Sequence, residues 1–364
     1  MDVNTIAIVM AGGQSPALWP KSSEKLPKQF QHFIGNGTLL QNTIERILKI
    51  FPIENIFVVT SNNFSNIIEE QLPELPKSNV IYEPFARHTL PCVSLALTQL
   101  SLDTRDETVF VLFPSDHHIA NIGEFYQTLE VAIEFARSRD AIVAIGVTPT
   151  RPETHYGYIQ IDRNSEGLEG FYEKGIRFSK TFAEKPDYDT ARRFLSTGEF
   201  LWNTGIYVMK VSTFWNTLKV CSSEIYNYFT ILKKFVGRPQ FEQALLETFR
   251  QIQSESIDTG IMERTSNVYA IESGFTWSDV GTWDEIYRLS LKDADNNCLV
   301  GDIIAMDTKN CLIQTDEKPI AVVGVEDLLI IDSKRALLIC KRGLSDRVGE
   351  IVSYLRRKNA EPLL

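Results

Sequence analysis

The chain is 364 residues long, with 43% hydrophobic and 23% charged residues, which excludes a disordered or fibrous protein; at about 150 residues per domain the length allows two domains. Lysine and arginine number 37 against 47 aspartates and glutamates, a net charge of −10 with no basic block, which argues against a dedicated nucleic-acid binder and leaves room for a local site for an anionic ligand. The five cysteines (Cys92, Cys221, Cys298, Cys311, Cys340) are odd in number, widely spaced and without a Cys-x-x-Cys pair, which argues against a disulfide framework and a structural zinc site.

In chain order, Thr5–Met10 is a short apolar run stopped by Gly12 and Gly13, and it reads as a buried strand. It is too short, and lacks the basic flank, to be a signal peptide, and no apolar stretch approaches about 20 residues, so a cytoplasmic protein without a membrane partner is expected. Leu39, Leu40, Ile44, Ile47, Leu48 and Phe51 form a helical stripe. Strand-like runs follow at Ile56–Thr60, Val80–Tyr82, Val109–Phe113 and Ala141–Val147, with helical patterns at Pro91–Leu100 and Phe125–Arg137 between them. Strands joined by helical crossovers imply βαβ units and a mostly parallel sheet. Ligands of such sheets bind beyond the carboxyl ends of the strands.

From Tyr156 the pattern changes to strands at Tyr156–Ile161, Phe178–Glu184 and Leu201–Met209, with helices at Asp187–Ser196 and Gln240–Gln251. This stretch reads as an insertion that builds one wall of a cleft. After Asp293 short apolar runs at Leu299–Met306, Cys311–Gln314, Ile320–Val325, Leu328–Asp332 and Ala336–Cys340 are separated by turn residues and followed by a helix around Asp346–Lys358. They predict a small β-rich module resembling a short β-helix. The expected domains are residues 1–292 and 293–364.

The loop Ala11-Gly12-Gly13-Gln14-Ser15-Pro16-Ala17-Leu18-Trp19-Pro20 follows the first strand directly, where glycines let backbone N–H groups approach phosphate oxygens. A plain tight turn accounts for a Gly pair as well, and a solvated basic turn accounts for Lys25-Leu26-Pro27-Lys28-Gln29-Phe30. Asp116 stands immediately after the strand Val109–Phe113, as a helix N-cap or a ligand residue, and Asp279 lies in a turn far away in sequence. His117 and His118 are adjacent, point in divergent directions and lack a third ligand at zinc spacing.

Taken together, these segments resemble the mannose-1-phosphate guanylyltransferases of the sugar-nucleotide pyrophosphorylase family. The likeness rests on the loop, on Pro27-Lys28-Gln29-Phe30, and on Glu83-Pro84-Phe85-Ala86-Arg87-His88-Thr89, Phe113-Pro114-Ser115-Asp116-His117-His118-Ile119, Phe182-Ala183-Glu184-Lys185-Pro186 and Trp277-Ser278-Asp279-Val280-Gly281. Pro152–Ile159, Leu201-Trp202-Asn203-Thr204-Gly205 and Ser256-Ile257-Asp258 extend it in order over nearly the whole chain. Trp19-Pro20 with the Pro-Lys-Gln-Phe segment points to the guanylyl branch. The resemblance implies an α/β, Rossmann-like (glycosyltransferase-A-like) nucleotidyltransferase with a mixed sheet and helices on both faces. It implies transfer of GMP from GTP to mannose 1-phosphate, giving GDP-mannose and pyrophosphate, with Mg²⁺ held by Asp116 and Asp279. Lys28 and Lys185 would act beside these aspartates in catalysis, Ala11, Gly12, Gly13, Arg87 and Ser115 would bind the nucleotide, and Tyr156, Gly157, Glu184 and Asn203 the sugar. A homo-oligomer, a dimer, is the expected assembly.

The chain also departs from the family pattern. Ser15-Pro16-Ala17 replaces Gly-Thr-Arg, so the loop arginine is gone, and Pro16 removes one N–H from a loop whose N–H groups are its function. His88 stands where asparagine is usual, and His155 stands where glycine is usual and is expected to narrow the sugar site. Two alternatives therefore stand beside the enzyme: a catalytically weak sugar-nucleotide-binding or regulatory homologue, and a transferase for another sugar 1-phosphate.

Overall fold

The structure is a computed structural model that describes residues 5–13, 16–360 and 363. Ser15, one of the altered loop positions, and its neighbour Gln14 lie outside the described residues. The chain forms two compact units, one of residues 1–12, 44–115 and 119–277, the other of residues 13–43, 116–118 and 278–364.

The first unit is built on a nine-stranded sheet. Its strands are β1 (Thr5–Met10), β2 (Ile56–Ser61), β3 (Val80–Glu83), β4 (Val109–Pro114), β5 (Ile142–Val147), β6 (Tyr158–Asp162), β7 (Ile176–Ala183), β8 (Phe200–Lys210) and β9 (Val268–Ser273). The spatial order is β3-β2-β1-β4-β8-β5-β9-β7-β6. β3, β2, β1 and β4 run parallel, as the βαβ reading requires. The expected insertion is instead part of this sheet. β8 lies antiparallel between β4 and β5, and β6 and β7 extend the far edge. The physical reason is in its composition: nearly every residue from Phe200 to Lys210 is buried, as in a central strand covered on both faces.

Ile6, Ile8, Phe110 and Leu112 face one core with the helices Thr89–Gln99, Val211–Cys221, Ser223–Lys233 and Phe241–Gln251. The alternate residues Ala7, Val9, Val111 and Phe113 are equally buried, so both faces of these strands are covered. Two of those helices, Val211–Cys221 and Ser223–Lys233, are absent from the sequence reading. Val211, Thr213, Thr217 and Val220 give the first of them a β-like local composition that tertiary packing overrides.

The second unit contains β10 (Cys298–Val300), β11 (Ile303–Met306), β12 (Leu312–Gln314), β13 (Ile320–Val323), β14 (Leu328–Asp332) and β15 (Leu337–Lys341). β10, β12 and β14 stack in parallel, as do β11 and β13, which is the expected β-helix pattern. The single run Leu299–Met306 breaks into two strands at Gly301, where φ is 99° and a Cβ would stand 2.5 Å from the Thr315 carbonyl oxygen. After β14 the chain doubles back, and β15 pairs antiparallel with it.

The segment 13–43 is built into this unit. Leu18, Trp19 and Leu39 share a core with Trp283, Leu312, Leu329, Val348 and Val352, the last two from the helix Val348–Arg357. Trp283 Nε1 donates to the Trp19 carbonyl at 2.9 Å, and the Arg335 guanidinium donates to the Pro20 and Lys21 carbonyls at 3.1 and 2.6 Å. No helix among the described residues is long and apolar enough to cross a membrane.

Candidate active site

Because β1, β2, β3 and β4 are parallel, their carboxyl ends emerge on one edge of the sheet, carrying Met10, Ser61, Glu83 and Pro114. Ala11 follows there, but its N–H is spent on the Val59 carbonyl at 2.8 Å and its carbonyl accepts from Thr60 Oγ1 at 3.0 Å. Ala11 therefore fixes the start of the loop, with its N–H committed to the sheet. Ser115 is buried and its N–H reaches the Met10 carbonyl at 3.2 Å. Gly12 packs close to Glu83: a Cβ at Gly12 would stand 3.0 Å from Glu83 Oε2. Arg87 is half-buried, and its Nε donates to the Phe249 carbonyl at 3.0 Å.

Glu83 is the residue of this edge to which sequence reasoning gave no role. It is 4% exposed, and its Oε1 has no hydrogen-bond partner. Burial pushes its carboxyl up to about 8. Between the ordinary glutamate value and about 8 the folded chain thus holds a proton that the unfolded chain has lost, so stability falls as pH rises through that window and is flat above it. Glu83→Gln is expected to abolish this decline and to raise the melting temperature at pH 8.5 more than at pH 5. Equal shifts at the two pH values would show that Glu83 does not carry the dependence.

In the second unit, Lys28, Asp116 and Asp279 come together. Lys28 is 6% exposed; its Nζ lies 3.0 Å from Asp116 Oδ2 and donates to the Asp279 carbonyl at 2.6 Å. Burial alone would push the Lys28 ammonium down, but the charges of Asp116 and Asp279 and the Asp116 hydrogen bond outweigh it and hold it above the ordinary lysine value. Burial likewise opposes ionisation of Asp116, and the Lys28 and His117 charges overcome it, so its carboxyl is held below the usual range. The result is an ionised pair whose ammonium is buried. Gln29 beside it donates from Nε2 to the Gly13 carbonyl at 2.9 Å, which anchors the glycine loop.

Asp279 sits in a constrained turn. Val280, buried and β-branched, has φ 49°, a left-handed value unusual for such a residue. The Gly281 N–H donates to Asp279 Oδ1 at 3.1 Å, and a Cβ at Gly281 would lie 2.8 Å from Asp279 Oδ2. The two carboxylates supply hard oxygen donors of the kind Mg²⁺ takes, and it usually completes its shell with water and substrate phosphates. Among the described residues no group of three or more His, Cys, Asp or Glu gathers to hold a metal ion.

A third group, in the first unit, collects Gly157, Glu184, Asn203, Tyr207 and Asp258. Gly157 leads into β6, and its carbonyl accepts from the Asn203 N–H at 2.8 Å. A Cβ there would stand 2.7 Å from Glu184 Oε2 and 3.3 Å from Asn203 Cβ, so a side chain at this position would displace the Glu184 carboxylate. Glu184 lies just past the end of β7 and pairs with Lys185 at 2.9 Å, Lys185 being more than half exposed with φ 48°. Asn203 is buried on β8 and donates from Nδ2 to Tyr207 Oη at 2.7 Å and to Asp258 Oδ1 at 3.1 Å. Tyr156 is also buried, its ring edge-on to Trp202 at 5.2 Å and Trp277 at 4.8 Å, which makes it a support for the wall. His155 is turned onto Glu153, Nδ1 to Oε1 3.0 Å, and its side chain is 57% exposed. Glu153 thus holds the His155 ring by a hydrogen bond. Asp258 appears in the Ser-Ile-Asp motif, but nothing in the sequence ties it to Asn203. Tyr207 reads as an ordinary core aromatic.

The nucleotidyl transferase family profile matches residues 6–296, and that of the MannoseP isomerase/GMP-like beta-helix domain matches residues 301–355. Mannose-1-phosphate guanylyltransferase 2 of Escherichia coli O157:H7 is 33% identical over 98% of this chain and 74% of its own length. Mannose-1-phosphate guanylyltransferase RfbM of Salmonella typhimurium is 34% identical over 97% of this chain and 73% of its own. A crystal structure from Thermus thermophilus, described as a mannose-1-phosphate geranyltransferase, superposes with a TM-score of 0.86 at 27% identity over 97% of this chain and all of that one. With its loop, paired aspartates and β-helix module in sequence, the chain belongs to the nucleotidyl transferase family, in the group of the mannose-1-phosphate guanylyltransferases.

Proposed function

We propose that the chain transfers GMP from GTP to mannose 1-phosphate, releasing pyrophosphate and forming GDP-mannose, as a cytoplasmic enzyme that uses Mg²⁺. The observation that carries this reading is the pairing of Asp116 and Asp279 around the buried Lys28 ammonium. Asp116 and Asp279 would hold the ion, which when bound neutralises phosphate charge and polarises the phosphoryl oxygens. Catalysis of such a transfer rests on positioning and charge neutralisation, with no covalent enzyme intermediate. Lys28 and Lys185 supply fixed positive charge to phosphate oxygens. Ala11, Gly12, Gly13 and Ser115 contact the nucleotide, with Arg87 at its base side. Glu184 and Asn203 take sugar hydroxyls in the space Gly157 leaves, against the wall that Tyr156 supports. The functional division we propose is a nucleotidyltransferase domain of residues 1–292 and a β-rich module of residues 293–364, in a homodimer.

The deciding assay is pyrophosphate release by the purified chain with mannose 1-phosphate, Mg²⁺ and each NTP in turn. GTP is expected to be preferred, and a preference for another NTP, or for another sugar 1-phosphate, would overturn the assignment. One observation favours slow turnover. Pro16, which has no N–H, and Ala17, which has no charge, form the turn Pro16–Leu18 at the place of the family's threonine and arginine. Gly157→Ala is expected to raise KM for mannose 1-phosphate by about tenfold through contact with Glu184 and Asn203 while leaving KM for GTP unchanged. An equal rise for both substrates would remove Gly157 from the sugar side.

A further inference from the structure

Asn203 and Tyr207 are four residues apart on one strand, a spacing of about 13 Å in regular β-structure, yet their side chains are hydrogen-bonded at 2.7 Å. A bulge makes this possible. Between the Tyr207–Ala144 and Asn203–Gly146 pairs the register of β8 on β5 shifts, and Gly205 within it has φ 70°. Thr204 takes up a ladder acceptor that the bulge frees, its Oγ1 donating to the Ile145 carbonyl at 2.7 Å. The bulge thus folds the strand so that the Tyr207 phenol stands under the Asn203 amide.

The hydrogen bonds of that amide are directional. Its Nδ2 donates to Tyr207 Oη and to Asp258 Oδ1, and because those two oxygens are themselves hydrogen-bonded they lie on the same side of the nitrogen. Tyr207 Oη in turn donates to the same Asp258 Oδ1. Asn203 Oδ1 accepts from the Gly205 N–H at 3.1 Å and keeps a second lone pair.

We propose that Tyr207 and Asp258 are positioning residues that lock the Asn203 amide with its Nδ2 turned inward, so that Asn203 offers a sugar hydroxyl its Oδ1 as an acceptor. The proposal rests on the reading of Asn203 as a sugar contact. Flipping the amide would set its carbonyl against the Asp258 carboxylate, and the closed Asn203–Tyr207–Asp258 ring resists that. Burial, and then the Asp258 charge, push the Tyr207 phenol well above its ordinary value, so it stays protonated and donating at neutral pH. Across the same cradle Glu184 is a second acceptor. A sugar taken here must donate its hydroxyl protons to the wall.

Fluorine can replace a hydroxyl in size but cannot donate, so 2-, 3- and 4-deoxyfluoro mannose 1-phosphates test the lock. At least one of the three is expected to lose about 100-fold in kcat/KM with the parent. In Tyr207→Phe and Asp258→Ala the freed amide can rotate, and that discrimination should shrink to less than about tenfold, with KM for GTP within about twofold of the parent. Asp258→Asn keeps an acceptor for Tyr207 and Asn203 and should stay near the parent. A parent that accepts all three fluorosugars, or a discrimination unchanged in both disruptive variants, would overturn the lock. A second readout needs neither turnover nor ligand. The Asn203 side-chain amide protons, seen by ¹⁵N-asparagine labelling, should exchange slowly in the parent and fast in Tyr207→Phe; fast exchange in the parent also overturns it. If the parent neither binds nor turns over mannose 1-phosphate, the sugar assignment fails, and amide exchange alone then decides the lock.

Discussion

Asp279→Asn is expected to lower kcat/KM for GDP-mannose formation by about 10³-fold, roughly the several kcal/mol that a correctly placed ion supplies to a phosphoryl transition state. Asparagine keeps the Oδ1 acceptor that the Gly281 N–H uses, so the turn and the fold should survive. The loss should then appear as weaker, less Mg²⁺-dependent nucleotide binding in calorimetric titration. Asp116→Asn should do the same, with an added penalty because the buried Lys28 loses the partner 3.0 Å from its Nζ. Unchanged affinity and unchanged metal dependence in both variants would show that these carboxylates do not share an ion.

The second large effect runs in the opposite direction. Ser15→Gly, Pro16→Thr and Ala17→Arg together should raise kcat by at least about tenfold, a cautious share of what a charge-stabilising group supplies. The gain belongs in kcat because an arginine at the loop acts mostly on charge that develops as pyrophosphate departs. Ala17→Arg alone should give less, since Pro16 holds φ fixed and withholds an N–H in the turn Pro16–Leu18. Steady-state kinetics of the parent, the single and the triple variant separate these outcomes. A brisk parent unaffected by the triple change would mean that another residue already provides the charge.

Much of this was legible in the sequence where the signal is local. The apolar run of β1 stopped by two glycines, and the short strands after Asp293, follow from period and punctuation. Lys28, Asp116 and Asp279 are far apart in the chain, and only the family motifs bring them together on paper; the structure places them around one buried ammonium. What was not legible is what depends on distant partners. Nothing in the Ala11 neighbourhood says that its N–H is already committed to Val59. A tyrosine in a strand of apolar residues reads as core, and only the bulge at Gly205 turns it beneath Asn203. His155 next to a pocket motif reads as an obstruction, while Glu153, two residues before it, holds its ring by a hydrogen bond.

The packing of Trp19 on Trp283 bears on how the chain can be cut and recombined. An engineer reading the sequence would place a boundary near residue 292 and expect the first piece to work without the second. Yet Leu18, Trp19 and Leu39 share their core with Leu312, Leu329, Val348 and Val352, and Arg335 holds the carbonyls of Pro20 and Lys21. A fragment ending at 292 would expose those apolar side chains to water and leave the segment carrying Lys28 without the floor it rests on. Swapping the β-rich module for that of a relative would graft cleanly only if residues 13–43 travelled with it. Evolution of the loop and of the module are on this account a single, coupled problem.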